Sequence, residues 1–462
     1  MIIPQALFKS LEHVPGFNKK AFEEVHASGA QITSIRINPL KMSIVNSEWS
    51  VEPDIHDSRF TIHSPVPWSS FGYYLSQRPS FTFDPLFHAG CYYVQEASSM
   101  FLEQALKQSA DLSKSLIVLD LCAAPGGKST HIQSLISSES LLVSNEVIRN
   151  RTGILKQNII KWGSENVVVT NNDPQHFSKL EGFFDVLIID APCSGSGLFR
   201  KEPAAISEWS EENVSLCCGR QKRIIADSIG CLKKDGILIY STCSYSKEED
   251  EDIADWLVEE WNMENIKLTV EEDWGIVETQ SEKTNSVGYR FFPDKLKGEG
   301  FYLSCFRKTR GDEKRIFRGA QLEHASAKEK SMVWPWLKNK EVQLLKTPFI
   351  HALPAALIED YASLKAALNV QYAGVNIGEV MRDKLIPDHA LALNNLLSDK
   401  IPATDLDYDE AIRYLQRAAI NTNTIQKGWQ LVKYQGHNLG WINALPNRIN
   451  NYYPKELRIL KQ

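Results

Sequence analysis

Apolar, β-favouring runs alternate with amphipathic stretches through the middle of this chain. This alternation predicts an α/β fold with a mostly parallel sheet, because each strand is followed by a helix that covers a face of the sheet. We expect a long helix at residues 211–232 and a Rossmann-like domain over 96–310. The runs that predict its strands lie at residues 116–121, 141–146, 167–170, 184–190, 237–240 and 300–308.

The patterns at the start of the chain are shorter. Residues 1–95 predict a small N-terminal α+β domain, because helical and strand patterns are mixed there. The helical patterns lie at residues 4–8 and 18–28, and the strand patterns lie at 31–37, 44–45 and 60–62.

The last third of the chain is also mixed. Residues 316–395 predict a connecting domain that contains a helix near 355–368. In residues 400–462, a helix at 408–419 is followed by short strands from Thr424 onward, separated by turn residues. That pattern predicts a small C-terminal module built as a β barrel.

The composition is that of an ordinary globular protein, with 43% hydrophobic and 23% charged residues. A chain of 462 residues is too long for one core and suggests about two to four domains. No apolar run approaches a membrane span, and the first residues lack the layout of a signal peptide. Eight cysteines without CxxC pairs predict a reduced, cytoplasmic protein with neither a disulfide framework nor a metal site.

Charge is unevenly distributed along the chain. The net charge is −6, yet residues 311–462 are net basic, and from Arg413 onward eight basic residues accompany one acid, Glu456. Aromatic residues are interleaved with these bases, and a basic, aromatic-rich module is typical of RNA binding. The alternative interpretation is a solvated basic face above an aromatic core.

The first apolar run of the central domain leads into VLDLCAAPGGK at residues 118–128. Strand, glycine turn and helix in this order present backbone N–H groups to a ligand at the carboxyl edge of a sheet. A P-loop is excluded because Cys122 stands five residues before Gly127, where a glycine is required. A dinucleotide GxGxxG pattern does not fit either, which leaves a turn that binds S-adenosylmethionine (SAM).

Three successive predicted strands end at or near an acid: Glu146, Asp173 and Asp190. In a SAM site, an acid after the second strand holds the ribose hydroxyls, and Asp173 is placed to bond the adenine amino group. One such acid is usually a solvated strand end. Three in succession beside a glycine turn favour a cofactor site at the carboxyl edge of the sheet.

Two cysteines follow neighbouring strands, Cys193 in DAPCSGSG and Cys243 in STCS. Adjacent strands lie about 4.8 Å apart, so both thiols would face the crevice of the cofactor turn. A thiolate that adds to carbon 6 of a pyrimidine makes carbon 5 nucleophilic enough to accept a methyl group, and Asp190 is placed to hold the ring. Spacing does not decide which thiol attacks. The remaining cysteines are interpreted as packing residues.

Beyond the second thiol, Ser246 and Glu249 have the spacing of a capping box for a helix that runs to Trp261. The acidic run at residues 248–252 would then lie at the helix N-terminus, where negative charge is stabilising. Glu249 is thereby interpreted as a structural residue.

The motifs DLCAAPGGK, NE, ND, DAPCSGSG and STCS, in this order and spacing, resemble those of the NOL/NOP/Sun family of RNA cytosine carbon-5 methyltransferases. The segments RINPLK, which begins at Arg36, YYVQEASSM and GFYLSCFRK also match family motifs, and the end of the chain is similar to a PUA-like RNA-binding module. The resemblance covers most of the chain and is weak only over 316–395. It implies a SAM-dependent methyltransferase core between a ferredoxin-like, RNA-binding N-terminal domain and the PUA-like module.

The resemblance also implies roles for individual residues. Cys243 would be the nucleophile, Cys193 would assist release of the methylated RNA, and Asp190 would activate the cytosine. The partner would be ribosomal RNA, free or assembled in the small subunit, and the protein would act as a monomer away from membranes. The residues that would contact SAM are Cys122, Ala123, Ala124, Pro125, Gly126, Gly127, Lys128, Glu146, Asp173 and Asp190.

Three other classes of protein are disfavoured. A DNA cytosine methylase places its nucleophile in the PC motif and needs no second strand-end thiol. A non-catalytic assembly factor that binds SAM or RNA would not need the complete set of residues. A thiol hydrolase would need a histidine near the thiol, and His88 and His176 have no supporting motif.

Overall fold

The computed structural model describes residues 3–42, 62–311, 317–420 and 426–460. The strand expected at residues 44–45 lies outside these ranges, as do residues 60 and 61 of the next expected strand and Thr424. None of the helices in these ranges has the length and hydrophobicity that a membrane span needs.

The N-terminal domain contains the expected mixture of helices and strands. Its elements are α1 (Gln5–Leu11), α2 (Lys19–Ala27), β1 (Ser34–Ile37), β2 (Ile62–Pro65), β3 (Gly72–Leu75), α3 (Pro85–His88) and β4 (Tyr92–Val94). The strands form an antiparallel sheet in the order β2-β3-β1-β4. Helices α1 and α2 bury Leu7 and Phe22 against Phe199 and Phe292 of the next domain, so the two domains share a core.

The central domain follows the predicted alternation of strands and helices. Its elements are α4 (Leu102–Ser109), β5 (Ile117–Asp120), α5 (Gly127–Gln133), β6 (Leu141–Asn145), α6 (Arg149–Trp162), β7 (Val167–Thr170), β8 (Phe184–Asp190), α7 (Ala204–Glu208), α8 (Glu211–Ser228), β9 (Leu232–Thr242), α9 (Glu251–Trp261), β10 (Met263–Ile266), β11 (Val277–Gln280), β12 (Val287–Phe291) and β13 (Phe301–Lys308). All six predicted strands form. Strand β9 starts before the predicted 237 because it continues through an irregular pairing with β8 around Asp235.

The last third of the chain adds two further sheets. Its elements are α10 (Ala327–Val333), β14 (Val342–Thr347), β15 (Phe349–Pro354), α11 (Ile358–Ala367), β16 (Val370–Ala373), β17 (Val375–Met381), β18 (Lys384–Pro387), α12 (His389–Leu393), β19 (Ala403–Leu406), α13 (Tyr408–Leu415), β20 (Gly428–Tyr434), β21 (His437–Leu445) and β22 (Arg448–Asn451). One sheet has the order β14-β15-β17-β18 and the other β19-β20-β21-β22. Within the described residues the second sheet is an open path with a parallel β19–β20 pair, not the predicted closed barrel.

The strand order of the central sheet positions the site. Five parallel strands run in the order β9-β8-β5-β6-β7, so the chain reverses its winding at β5, between β8 and β6. The crevice outside the carboxyl ends of the strands at such a reversal is where open α/β sheets bind ligands. Antiparallel strands extend both edges, with β13 beside β9 and β16 beside β7.

The apolar runs of the parallel strands are explained by burial on both faces. Leu119 and Leu187 face one core, and their neighbours Val118 and Val186 face the core on the opposite side. Successive side chains of a strand point to opposite faces, so a strand covered on both sides must be apolar throughout.

Candidate active site

The turn after β5 is held by the helix that follows β6. Gly126 has φ +113° and caps α5, a conformation that favours glycine. From α6, the Arg151 guanidinium donates to the carbonyl of Ala124 at 2.7 Å, and the Asn158 amide donates to that of Pro125 at 2.8 Å. The turn at residues 122–128 is therefore a fixed surface at the carboxyl edge of the sheet.

The acid after β6 has the surroundings that a nucleoside needs. Glu146 is buried, and one carboxylate oxygen accepts the backbone N–H of Ile148 at 2.8 Å. The apolar side chains of Val147 and Ile148 are each about half exposed directly beside it. A carboxylate for the ribose hydroxyls next to an apolar surface for a base fits SAM. Sequence reasoning missed Val147 and Ile148, although two apolar residues directly after the strand-end acid were a usable signal.

A second feature of the turn also fits SAM. Asp120, the last residue of β5, is fully buried; one of its oxygens accepts from the Ser129 hydroxyl at 2.6 Å, and the other has no hydrogen-bond partner within the described residues. Burial raises the pKa of Asp120 to about 7, and the Asp190 charge adds to the shift. An unpartnered buried acceptor is expected where a ligand that carries donors, such as the SAM ammonium group, completes the site.

Asp173 lies at the carboxyl end of β7 and is only partly buried. One of its carboxylate oxygens accepts the backbone N–H of Gln175 at 3.1 Å and caps a short helix, Pro174–Leu180. This contact fixes the side chain in place. The expected bond to an adenine amino group stays a prediction.

Asp190 and Lys128 form an ion pair at the centre of the crevice. The Lys128 ammonium lies 2.8 Å from one Asp190 oxygen, and the Ser241 hydroxyl donates to the other at 2.9 Å. Burial is the largest influence on the pKa of Lys128 and lowers it, but the interactions with Asp190, Asp120 and Cys243 together outweigh burial and raise the pKa. Lys128 therefore stays charged and interacts with both the acid and the Cys243 thiol.

The two strand-end cysteines meet. The Cys193 and Cys243 sulfurs are 2.9 Å apart, and both residues are free thiols that remain partly accessible. The hydrogen bond to Cys243, burial and the charge of Glu249 raise the pKa of Cys193 well above its usual value. Either sulfur can donate the hydrogen bond that joins the pair.

The loops that carry the thiols are packed too closely for any residue but glycine at position 197. The Gly197 N–H donates to the carbonyl of Cys243 at 2.8 Å. A Cβ on Gly197 would lie 2.7 Å from that carbonyl oxygen and 2.4 Å from the carbonyl of Gly300. The second glycine of DAPCSGSG is thus explained by the close approach of the neighbouring strand end.

The predicted capping box after Cys243 is wrong. Helix α9 begins at Glu251 with Asp250 as its N-cap, and the Ser246 hydroxyl has no hydrogen-bond partner within the described residues. Glu249 instead turns inward and binds Ser194 and Ser244, each of which follows a cysteine. Sequence reasoning therefore missed Glu249, because the Ser-x-x-Glu spacing suits a helix start as well as a buried loop.

Comparison with known proteins identifies the chain. Residues 107–307 match the model of the 16S rRNA methyltransferase RsmB/F family. Residues 3–97 match the N-terminal domain of the 16S rRNA methyltransferase RsmF, and 402–459 match the RsmF PUA domain. The ribosomal RNA small subunit methyltransferase F of Vibrio campbellii is 30% identical over 448 residues, which cover 92% of this chain and 91% of the relative.

The chain belongs to the RsmF family.

Other relatives agree with this assignment. The ribosomal RNA small subunit methyltransferase F of Vibrio parahaemolyticus is 29% identical over an alignment of 477 positions, which covers 98% of this chain and 97% of that protein. A solved methyltransferase homologue from Pyrococcus horikoshii is 26% identical with a TM-score of 0.52, and it covers 66% of this chain and all of its own. The RsmF family consists of methyltransferases that use SAM, which agrees with the fit of the turn, Glu146 and Asp120 to that cofactor.

The structure brings most of the expected residues to one edge of the sheet. The turn at residues 122–128 follows β5, and Glu146 follows β6. Asp190 is the last residue of β8, Cys193 lies in the loop after it, and Cys243 follows β9. Their individual roles in the RsmF-family reaction stay predictions.

Proposed function

We propose that this protein transfers a methyl group from SAM to carbon 5 of a cytosine in 16S ribosomal RNA, with Cys243 as a covalent nucleophile. The observation that supports this most is the pair of Cys193 and Cys243 sulfurs, 2.9 Å apart, beside a turn that fits SAM. Carbon 5 of cytosine is a poor nucleophile, and addition of a thiolate to carbon 6 is what activates it.

The surroundings of the two sulfurs favour Cys243 as the attacking one. Lys128 interacts electrostatically with Cys243, and a cation near the sulfur suits a role for Cys243 as the nucleophile. Cys193 has its pKa raised and stays protonated. A proton donor beside the attacking sulfur suits the later step, in which the thiolate of Cys243 leaves the methylated ring.

Asp190 is held for contact with the base. Lys128 and Ser241 fix its two oxygens, and the carboxyl group faces the crevice at the end of β8. We propose that Asp190 accepts a hydrogen bond from the exocyclic amine of cytosine and shares a proton with ring nitrogen 3, which is an acceptor, as Cys243 adds to carbon 6. The positive charge of Lys128 then offsets the negative charge that builds up on the ring.

The cofactor would be held by residues 122–128, Glu146, Asp173 and Asp190, where it supplies an electrophilic sulfonium methyl group. Substrate RNA would be recruited by the C-terminal module and the N-terminal domain, which flank the central domain in sequence. The finer proposals are that the protein acts in the cytoplasm as a monomer, on free 16S rRNA or on the assembled small subunit.

The proposed function is tested by mapping 5-methylcytosine in 16S rRNA by bisulfite sequencing, from cells with and without the gene. At least one cytosine position should lose its methylation without the gene, and wild-type protein should restore it. Cys243→Ala should bind SAM as wild type does yet transfer no methyl group, because the ring is not activated without covalent addition. Cys305→Ala, which removes a buried thiol on β13 away from the crevice, is the matched control.

Three outcomes would contradict the proposal. Methyl transfer by Cys243→Ala above a few per cent of the wild-type rate would assign the attack to Cys193. An unchanged 16S methylation pattern in cells without the gene would favour an assembly factor that binds RNA without turnover. Methylation of double-stranded DNA by the purified protein would favour the DNA methylase class.

A further inference from the structure

We propose that Glu249 is a positioning residue that holds the two thiol loops together, and this inference rests on the function proposed above. The loop after β8 carries Cys193 and then Ser194, and the loop after β9 carries Cys243 and then Ser244. The Glu249 carboxylate lies behind both loops and bonds both serines.

The contacts of Glu249 are short and use both carboxylate oxygens. One oxygen accepts the Ser194 backbone N–H at 2.9 Å and the Gln221 side-chain amide at 3.0 Å. The other accepts the Ser194 hydroxyl at 2.5 Å and the Ser244 hydroxyl at 2.6 Å. Gln221 also donates to the carbonyl of Pro192 at 3.2 Å, so the residues on both sides of Cys193 are tied to one carboxylate.

Burial of the Glu249 carboxylate costs folding free energy, because no cation pairs with it within the described residues. Glu249 is fully buried, and within the described residues only neutral donors contact its carboxylate. Its sequence neighbour Glu251 is by contrast paired with the buried guanidinium of Arg290. Burial raises the pKa of Glu249 although its hydrogen bonds oppose the shift. A buried carboxylate without a cation is destabilising, so its presence between the two loops needs an explanation other than stability. We infer that Glu249 serves the geometry of the two thiols.

The task of Glu249 is to set the distance between the two sulfurs. Loops are the more mobile parts of a fold, and a displacement of about 1 Å in a catalytic group can cost roughly a hundredfold in rate. Three links join the loops without Glu249: the Gly197 N–H donates to the Cys243 carbonyl, the Tyr245 N–H donates to the Ser196 hydroxyl, and the Ser194 and Ser244 hydroxyls lie 3.2 Å apart. The variant Ser194→Ala/Ser244→Ala removes the last of these links as well, whereas Glu249→Ala leaves all three in place. Loss of the Glu249 bridge should therefore impair the geometry without abolishing it.

The experiment measures the sulfur contact directly and does not depend on activity. Diamide takes two electrons and two protons from a pair of thiols that can touch, which leaves a disulfide and the reduced hydrazine. We expect wild type to form the Cys193–Cys243 disulfide readily, as read by mass mapping of peptides. The variant Ser194→Ala/Ser244→Ala, which removes two hydroxyls without leaving Glu249 free of donors, should form it at least about tenfold more slowly.

The same variant should lose at least about tenfold in kcat while its Kd for SAM stays within twofold. Glu249→Ala should behave in the same way, and its effect should not add to that of the serine substitutions if all act through one bridge. Glu248→Gln, at the exposed neighbouring position, is the matched control and should resemble wild type. Measurements well below each melting temperature separate positioning from loss of stability.

The proposal is overturned if disulfide formation and kcat of the serine variant both stay within twofold of wild type. Additive losses in Glu249→Ala and the serine variant would also overturn it, because the residues would then act separately. A wild-type protein that forms the disulfide but methylates no RNA would contradict the proposed function and leave the positioning role supported.

Discussion

Cys193 and Cys243 are the same residue type, so any difference in the chemistry of their sulfurs comes from their surroundings. Cys243 interacts electrostatically with the ammonium of Lys128, while Cys193 lies against Cys243 and interacts with the negative charge of Glu249. The hydrogen bond to Cys243, burial and the charge of Glu249 raise the pKa of Cys193, so Cys193 favours the thiol. The site thus holds a candidate nucleophile and a candidate proton donor that are chemically identical residues.

Substitution of Cys193 separates attack from release. Methylation of carbon 5 leaves a proton there, and the RNA is freed only when that proton and the Cys243 thiolate are eliminated. We expect Cys193→Ala to accumulate a methylated protein–RNA species that survives denaturing electrophoresis with labelled RNA. Cys193→Ala/Cys243→Ala is the control and should show no such species.

Exchanged roles of Cys193 and Cys243 would give a different pattern on the gel. A trapped species in Cys243→Ala, with none in Cys193→Ala, would reverse the two roles. If Cys193 only packs against the turn after Asp190, its loss would slow every step and trap nothing.

The buried Asp120 predicts a pH dependence of stability. Its pKa rises from the ordinary value of 3.8 to about 7 on folding, so the folded state binds this proton more tightly than the unfolded chain does. The stabilising contribution of the proton is therefore complete below pH 4 and is lost as the pH rises to about 7. Asn resembles the protonated acid and cannot ionise.

Relative to wild type, Asp120→Asn should gain on the order of 3 kcal/mol in free energy of unfolding between pH 5 and pH 8. Urea denaturation of both proteins at the two pH values measures this difference. A constant difference between the two proteins across this range would show that the Asp120 pKa is not raised.

At the scale of elements, strand β1 supports the cofactor turn from another domain. The buried Arg36 guanidinium donates to the Thr130 hydroxyl at 2.6 Å and to the carbonyls of Gly127 and Thr130 at 3.3 Å, all in the first turn of α5. Asn38 and Lys41 of the same segment donate to the carbonyls of Trp162 and Lys161 at the end of α6. The RINPLK motif therefore fixes both helices that border the SAM turn.

Replacing Arg36 should disturb the turn and the fold together. Arg36→Met keeps the bulk but removes the hydrogen bonds of the guanidinium, among them the donor to the buried side-chain oxygen of Gln95, and an unsatisfied buried group costs about 1–3 kcal/mol. We expect a lower melting temperature and at least about tenfold weaker SAM binding, measured by calorimetry. Arg78→Met, at an exposed position, is the control and should change neither the melting temperature nor the SAM affinity. Unchanged SAM affinity in Arg36→Met would show that the turn holds its shape without Arg36.

At the scale of the whole molecule, the modules are joined by shared cores and by one strand. Val432 and Tyr453 of the C-terminal module pack in one cluster with Ile35 and Tyr92 of the N-terminal domain. Strand β16 of the expected connecting domain extends the central sheet by pairing with β7. Removing the C-terminal module would expose this core, so its role in RNA binding is better tested by its charges.

We expect the exposed bases of this module to bind RNA phosphates. In Lys427→Gln/Arg448→Gln/Lys455→Gln/Arg458→Gln, RNA affinity should fall, and the slope of log affinity against log salt should flatten by roughly 0.7 for each phosphate of single-stranded RNA that the variant no longer neutralises. Filter binding over a range of salt concentrations measures the slope. The control replaces four exposed lysines of the central domain, Lys114, Lys179, Lys234 and Lys283.

An unchanged slope in the module variant would refute the electrostatic role of the module.

The aromatic residues of the module fall into two groups. Trp441, Tyr434 and Tyr453 are core residues, whereas Tyr452 is 41% exposed and its ring centroid lies 4.4 Å from that of Trp429. Of these residues, Tyr452 and Trp429 remain as surfaces on which an RNA base could stack.

Local sequence alone predicted the parallel sheet, the cofactor turn and the strand ends that carry acids and thiols. Strand runs such as 184–190 are apolar because both faces are buried, and the turn after β5 needs a positive φ at Gly126, which glycine adopts without strain. These features are therefore encoded within a few neighbouring residues. The likeness of the motifs to a family added the order of the domains and the roles of the two cysteines.

Tertiary structure decided what lies behind the site. The spacing of Ser246 and Glu249 suited a helix cap, yet Glu249 binds Ser194, 55 positions earlier in the chain. Arg36 reaches α5 across 94 positions, and β16 pairs with β7 from another part of the sequence. Such contacts depend on which buried donors and acceptors are left unpaired once the sheet has formed, and no local pattern records that balance.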